Sequence, residues 1–117
     1  MGGLIMNAHT IQIFLDGKTD TIIQEIAQDR GLPMEDIALE ALREILEFDL
    51  HNITIPEACR KGTRYANRIF LLSVYVSAPL YNDLREAASD TAMMLGRFAY
   101  FACWHYAQKH GHEVKEV

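Results

Sequence analysis

Arg60, Lys61, Arg64 and Arg68 fall within nine consecutive positions and supply four of the chain's eleven lysines and arginines. Cations at that density can grip a polyanion, one phosphate to each side chain. The competing reading is a solvated linker face that binds nothing. His105, His110 and His112 raise metal binding, yet their i, i+5, i+7 spacing does not put all three on one helical face. No carboxylate or cysteine completes the set. There is no glycine-rich phosphate loop, no nucleophile set in a motif and no carboxylate pair at telling spacing. Glu40, Glu44 and Glu47 read most simply as the wet side of a helix. The expectation is therefore a chain that is not an enzyme and carries no cofactor and no metal.

Composition narrows the partners. A net charge of −5 and a pI near 5.4 give no general attraction to nucleic acid or to anionic membranes, so any such contact must be local. Cys59 and Cys103 are too few for a disulfide framework, and the apolar start Leu4-Ile5-Met6 has no cations ahead of it. A reduced, cytoplasmic chain is expected. The longest apolar segment, Phe98 to Ala107, is broken by His105 and falls short of the ~20 residues needed to span a bilayer. With 117 residues, half of them hydrophobic, the chain suits a single domain.

The elements that would position these groups follow from periodicity. Ile11, Ile13 and Leu15 alternate with Thr10, Gln12 and Phe14, the period of a half-buried strand that must find a partner. Asp16 or Thr19 can cap the helix that follows, whose apolar stripe is Ile22, Ile23, Ile26 and Ala27. Gly31 ends it and Pro33 opens the next helix, with Glu35 and Asp36 at its positive end. Ile37, Ala38, Ala41, Leu42, Ile45 and Leu46 form that helix's buried face. Thr54-Ile55-Pro56-Glu57 is a capping-box pattern, predicting a short helix that carries Arg60, Lys61 and Arg64 before Arg68. A second strand, Leu72 to Ser77, buries Leu72, Val74 and Val76 and turns Ser73 and Tyr75 outward. Ser77 caps a helix with the stripe Leu80, Leu84, Ala87 and Ala88. The last helix, predicted from Leu95 to Lys109 with a frayed tail after Gly111, is apolar almost all round. It must be covered on more than one side, by the linker or by another subunit.

Residues 72–107 repeat the pattern of residues 11–46, with Leu72 falling on Ile11 at an offset of 72 − 11 = 61. The first copy runs strand, capped helix, glycine turn and a helix ending in Glu-Ala-Leu-Arg-Glu-Ile-Leu. This resembles the ribbon-helix-helix repressors of the Arc and CopG type, through Ile11, Ile13, Leu15, Ile26, Ala27, Gly31, Ala41, Leu42 and Leu46. The second copy keeps Leu72, Val74, Val76, Ala87, Ala88 and Ala102 but has Ala92 in place of the turn glycine. The likeness covers about 70 of 117 residues and specifies a fold better than a job.

The resemblance implies a mainly α chain with a short two-stranded antiparallel ribbon, two fused ribbon-helix-helix units forming a pseudo-dimer within one chain. The units would be residues 10–48 and 71–110, joined by a linker over 49–70, and Ile11 to Leu15 would pair with Leu72 to Val76. In that family the ribbon enters the DNA major groove. Carried over by position, the groove-facing residues are Thr10, Gln12 and Phe14 with Ser73, Tyr75 and Ser77. Gly96 and Arg97 would face a phosphate at the second unit's helix start, whereas Glu35 and Asp36 would repel one at the first. Arg60, Lys61, Arg64 and Arg68 lie where the family often has a phosphate-gripping arm. The function so implied is a sequence-specific regulator of duplex DNA, or a plasmid or phage accessory protein, with a homodimer through the aromatic last helix. The alternative is a module that kept the fold, lost DNA binding and grips another protein, as an antitoxin or a phage-encoded inhibitor would.

Overall fold

A computed structural model describes the backbone of residues 8–63 and 68–114, and the side chains of 9–63 and 68–111. Alternation produces two strands, β1 (Ala8–Asp16) and β2 (Ile69–Ser77). They pair antiparallel along their whole length, with Ile11 opposite Val74, Gln12 opposite Ser73 and Ile13 opposite Leu72. Ile11, Ile13, Leu15, Leu72, Val74 and Val76 all point into the core. The expected pairing is present, and both strands start earlier than alternation alone predicts.

Asp16 ends β1 and caps α1 (Gly17–Arg30). Its carboxylate accepts the Lys18 and Thr19 amides at 3.1 and 3.2 Å and the Thr19 hydroxyl at 2.6 Å, so Asp16 is the cap and Thr19 supports it. The helix stops at Gly31, whose φ of 68° allows the Leu32 amide to reach back to the Ala27 carbonyl at 2.9 Å. Pro33 then opens α2 (Met34–Ile45), which buries Ile37, Ala38, Ala41, Leu42 and Ile45. Each large aliphatic side chain sealed in this way contributes on the order of 2 kcal/mol.

In the linker, Phe48, Leu50, Ile53 and Ile55 pack against the core before α3 (Glu57–Lys61). Here one expectation is corrected. Pro56, not Thr54, is the residue ahead of the helix, and no side chain caps it; with proline there, its ring takes the place of one unpaired amide. The helix carries Arg60 and Lys61 and ends at Gly62, whose φ of 73° departs from helical geometry.

Ser77 caps α4 (Ala78–Asp90) by accepting the Leu80 amide at 3.4 Å. The turn beyond α4 keeps the glycine-type geometry without glycine. Ala92 has φ 58°, and the Met93 amide bonds the Ala88 carbonyl at 2.9 Å. The last helix, α5 (Leu95–Val114), passes through Gly111 rather than ending there. A Cβ at Gly111 would stand 3.1 Å from Ile22 Cγ2, so the missing side chain lets α5 lie close on α1.

α5 is the central rod of the molecule, contacted by α1, α2, α3, α4 and β1. Phe98, Phe101 and Tyr106 are fully buried, and Phe48 of the linker packs edge-on to His105 at 4.8 Å. The chain itself covers the aromatic helix, leaving Trp104 and His105 only partly exposed. Its second half restarts each element 61 residues after the first: 69 − 8 = 61 for the strands, 78 − 17 = 61 and 95 − 34 = 61 for the two pairs of long helices. Among the described residues no helix is long and apolar enough to cross a membrane.

Candidate nucleic-acid interface

Because β1 and β2 bury one face, their pleat leaves a second face outward, free of the core. Thr10 stands opposite Tyr75, Gln12 opposite Ser73, and Phe14 opposite Leu71. Thr10 and Gln12 are exposed, Ser73 is half-buried, and Tyr75 is 72% exposed. Toward the Asp16 end the same face becomes apolar, with Phe14, Ile69 and Leu71 each about half exposed. Ile69 and Leu71 escape sequence reasoning because strand two is legible by alternation only from Leu72. Ser77 lies at the end of the ribbon, and its hydroxyl is used as the α4 cap.

The start of α5 comes up beside β1. Gly96 has no Cβ, and an added one would sit 4.0 Å from the Gln12 carbonyl oxygen. Arg97 follows, and its guanidinium donates to the Arg60 carbonyl at 3.1 Å. Arg60 in turn donates to the Thr91 carbonyl at 2.9 Å. These two arginines thus tie α3 to the α4–α5 turn. The aliphatic stem of Arg97 packs over Gly62. Arg60 is partly buried in this clamp, so its guanidinium is committed to the fold rather than displayed as a backbone-gripping arm.

The predicted basic run is therefore divided. Lys61 is exposed beside Arg97, whereas Arg68 lies at the start of β2 with its guanidinium 5.1 Å from the Phe70 ring centre. Arg64 lies outside the described residues. Of the candidate residues, Phe14, Lys61, Gly96 and Arg97 line one cleft of about 270 Å³, with Met94 and Tyr100. Nothing in the sequence spacing announces that meeting. At the other helix start the exposed residues are Glu35 and Asp36.

Behind the cleft Tyr100 donates its hydroxyl to Asp16 at 2.6 Å, across 84 positions of sequence. Burial pushes the Asp16 carboxyl up, but hydrogen bonds from Thr19 and Tyr100 outweigh it and hold the group below its ordinary value. Burial and the bond to Asp16 push the Tyr100 phenol well above the usual range. Burial pushes the Cys59 and Cys103 thiols up to about 12, with the Asp16 charge adding to the effect at Cys59. Neither thiol is poised as a nucleophile.

Of the three histidines considered for metal, His110 is 2.8 Å from Glu44 and His105 packs on Phe48, while the side chain of His112 lies outside the described residues. Among the described residues no three His, Cys, Asp or Glu side chains are grouped to hold an ion. Comparison with family models, curated proteins and solved structures gave no match.

Proposed function

We propose that this chain is a duplex-DNA-binding regulator built from two fused ribbon-helix-helix units, and that it presents the outer face of its ribbon to the major groove. The fusion is supported by the 61-residue offset recurring in strands, caps and turns: Asp16 and Ser77 cap, and Leu32 and Met93 close the same turn. The cross-strand register agrees with it. Gln12 and Ser73 are equivalent under the offset, 73 − 12 = 61, and they stand opposite each other at the centre of the ribbon. A pseudo-two-fold axis would pass between them.

One observation carries the functional reading. Thr10, Gln12, Ser73 and Tyr75 form two adjacent cross-strand pairs on the outward face of a two-stranded ribbon, the kind of element a major groove admits. Gln12 suits a bidentate contact to adenine, and the three hydroxyls suit bases or phosphates. The α5 start, with Lys61 and Arg97, then grips one phosphate backbone, while Glu35 and Asp36 keep the other at a distance. The grip is one-sided.

A salt titration of duplex affinity tests this. Binding should weaken steeply with salt, and the double variant Lys61→Gln, Arg97→Gln should reduce the log–log slope by about two. Binding indifferent to salt, or none at low salt, would refute it. A second reading, a protein-interaction module that has lost DNA binding, draws on the apolar end of the ribbon. Phe14, Ile69 and Leu71 expose about half their surface together, as docking faces for proteins do. Under it, Phe14→Ser and Leu71→Ser abolish capture of a partner while duplex titrations stay flat.

A further inference from the structure

The cleft beside Phe14 has a chemistry of its own. The ribbon lines it through the exposed Phe14 ring, the first two turns of α5 through Arg97 and Tyr100, the end of α3 through Lys61 and Gly62, and the residue before α5 through Met94. The lining is mostly apolar, with Lys61 and Arg97 as its cations, and the volume lies just below the usual range for ligand sites. Arg97 is fixed before anything arrives. Its guanidinium is held by the Arg60 carbonyl at 3.1 Å and its stem by Gly62, so little side-chain freedom remains to be lost on binding. Met94 is 72% exposed and flexible, a side chain able to close over an apolar group of variable shape. The Tyr100 hydroxyl is already held by Asp16.

We infer that this cleft binds a small amphipathic anion, an aryl or alkyl group carrying a carboxylate or phosphate. The apolar part lies against Phe14, Met94 and Tyr100, and the anionic head meets Lys61 and Arg97. Those two cations are also the ones assigned to the DNA backbone, so the occupant competes with DNA. That second half rests on the DNA-binding reading, and the ligand site does not.

The test uses the whole chain and 1-naphthyl phosphate as probe, followed by amide NMR shifts. The expected result is saturable binding of one probe per chain, at about 1 mM or tighter, with the largest shifts at Gly62, Gly96 and Arg97. Uncharged 1-naphthol should bind at least about tenfold weaker, as one charged head contact is worth that much. Lys61→Gln alone, an exposed change that leaves the arginine clamp intact, should weaken the phosphate probe several-fold and leave naphthol unchanged. Equal affinity for naphthol, shifts centred elsewhere, or no saturation overturns the site. With the probe bound, duplex affinity should fall in step with occupancy. Unchanged duplex affinity at saturation overturns the competition, and probe binding by a chain that ignores every duplex overturns the DNA-binding reading while leaving the ligand site standing.

Discussion

Replacing Ala92 by glycine should stabilise the protein. Ala92 sits at φ 58°, 92 − 31 = 61 positions after Gly31, whose φ is 68°, and both turns are closed by the same kind of backbone bond. An L-residue with a Cβ held in the left-handed region costs roughly 1–2 kcal/mol. Glycine removes that strain but returns roughly 0.4–1 kcal/mol through the greater freedom of the unfolded chain. The net gain is about 0.5–1 kcal/mol, equivalent to about 2–4 °C in Tm for a chain of this size. The reciprocal change, Gly31→Ala, meets no atom within 4 Å of the new Cβ, so it should cost about the same amount through backbone strain alone. Urea denaturation monitored by far-UV circular dichroism reads both, provided the m-values stay equal to wild type. An Ala92→Gly variant no more stable than wild type, together with a neutral Gly31→Ala, would refute the claim that the two turns share one geometry.

Other expectations follow from the buried polar groups and the charge asymmetry. Tyr100→Phe removes a hydrogen bond to a carboxylate and should cost about 1–2 kcal/mol at neutral pH, measured by denaturant titration. Asp16 is held below its ordinary value, so its contribution is fully present above the unfolded carboxylate pKa and is lost as pH falls through the folded one. The gap between Tyr100→Phe and wild type should therefore close below about pH 4; a gap that persists in acid would mean the charge on Asp16 is irrelevant to the bond. Cys59 and Cys103, both buried with thiols pushed to about 12, should react with iodoacetamide at pH 7.5 more than about a hundredfold slower than in urea, as read by mass spectrometry. Glu35→Gln with Asp36→Asn should tighten duplex binding by about threefold to tenfold at low salt, and an unchanged affinity would show that these two charges do not repel the backbone.

Much of the fold was legible because one face of each element is apolar at a fixed period. Ile11, Ile13 and Leu15, and Leu72, Val74 and Val76, mark both strands and their inward faces, and Ile37 to Ile45 mark α2. The ends were less legible. Backbone pairing continues to Ala8 and Ile69 where side-chain alternation says nothing, since an extended partner is all a ladder requires. Sequence reading ends the last helix at Lys109, yet α5 runs on through Gly111, whose missing side chain makes it a close-packing residue against Ile22.

The candidate site was legible on the ribbon and opaque beside it. Period two places Thr10, Gln12, Phe14, Ser73 and Tyr75 on one face without further information. That Arg60 is spent on the Thr91 carbonyl, and that Arg97 bonds the Arg60 carbonyl while still lining the cleft, depends on how α3 meets the α4–α5 turn, across 31 and 37 positions. Local spacing carries no trace of that encounter, and it breaks a basic run that reads as one patch into separate pieces.

The most direct test is to titrate the isotopically labelled chain with a duplex selected from a random pool and follow every amide. The account predicts that the largest shifts fall on Thr10, Gln12, Ser73 and Tyr75, with Gly96 and Arg97 moving beside them and Glu35 and Asp36 still. Shifts confined to other surfaces, or a selection that enriches no sequence and a spectrum that does not move, would contradict it.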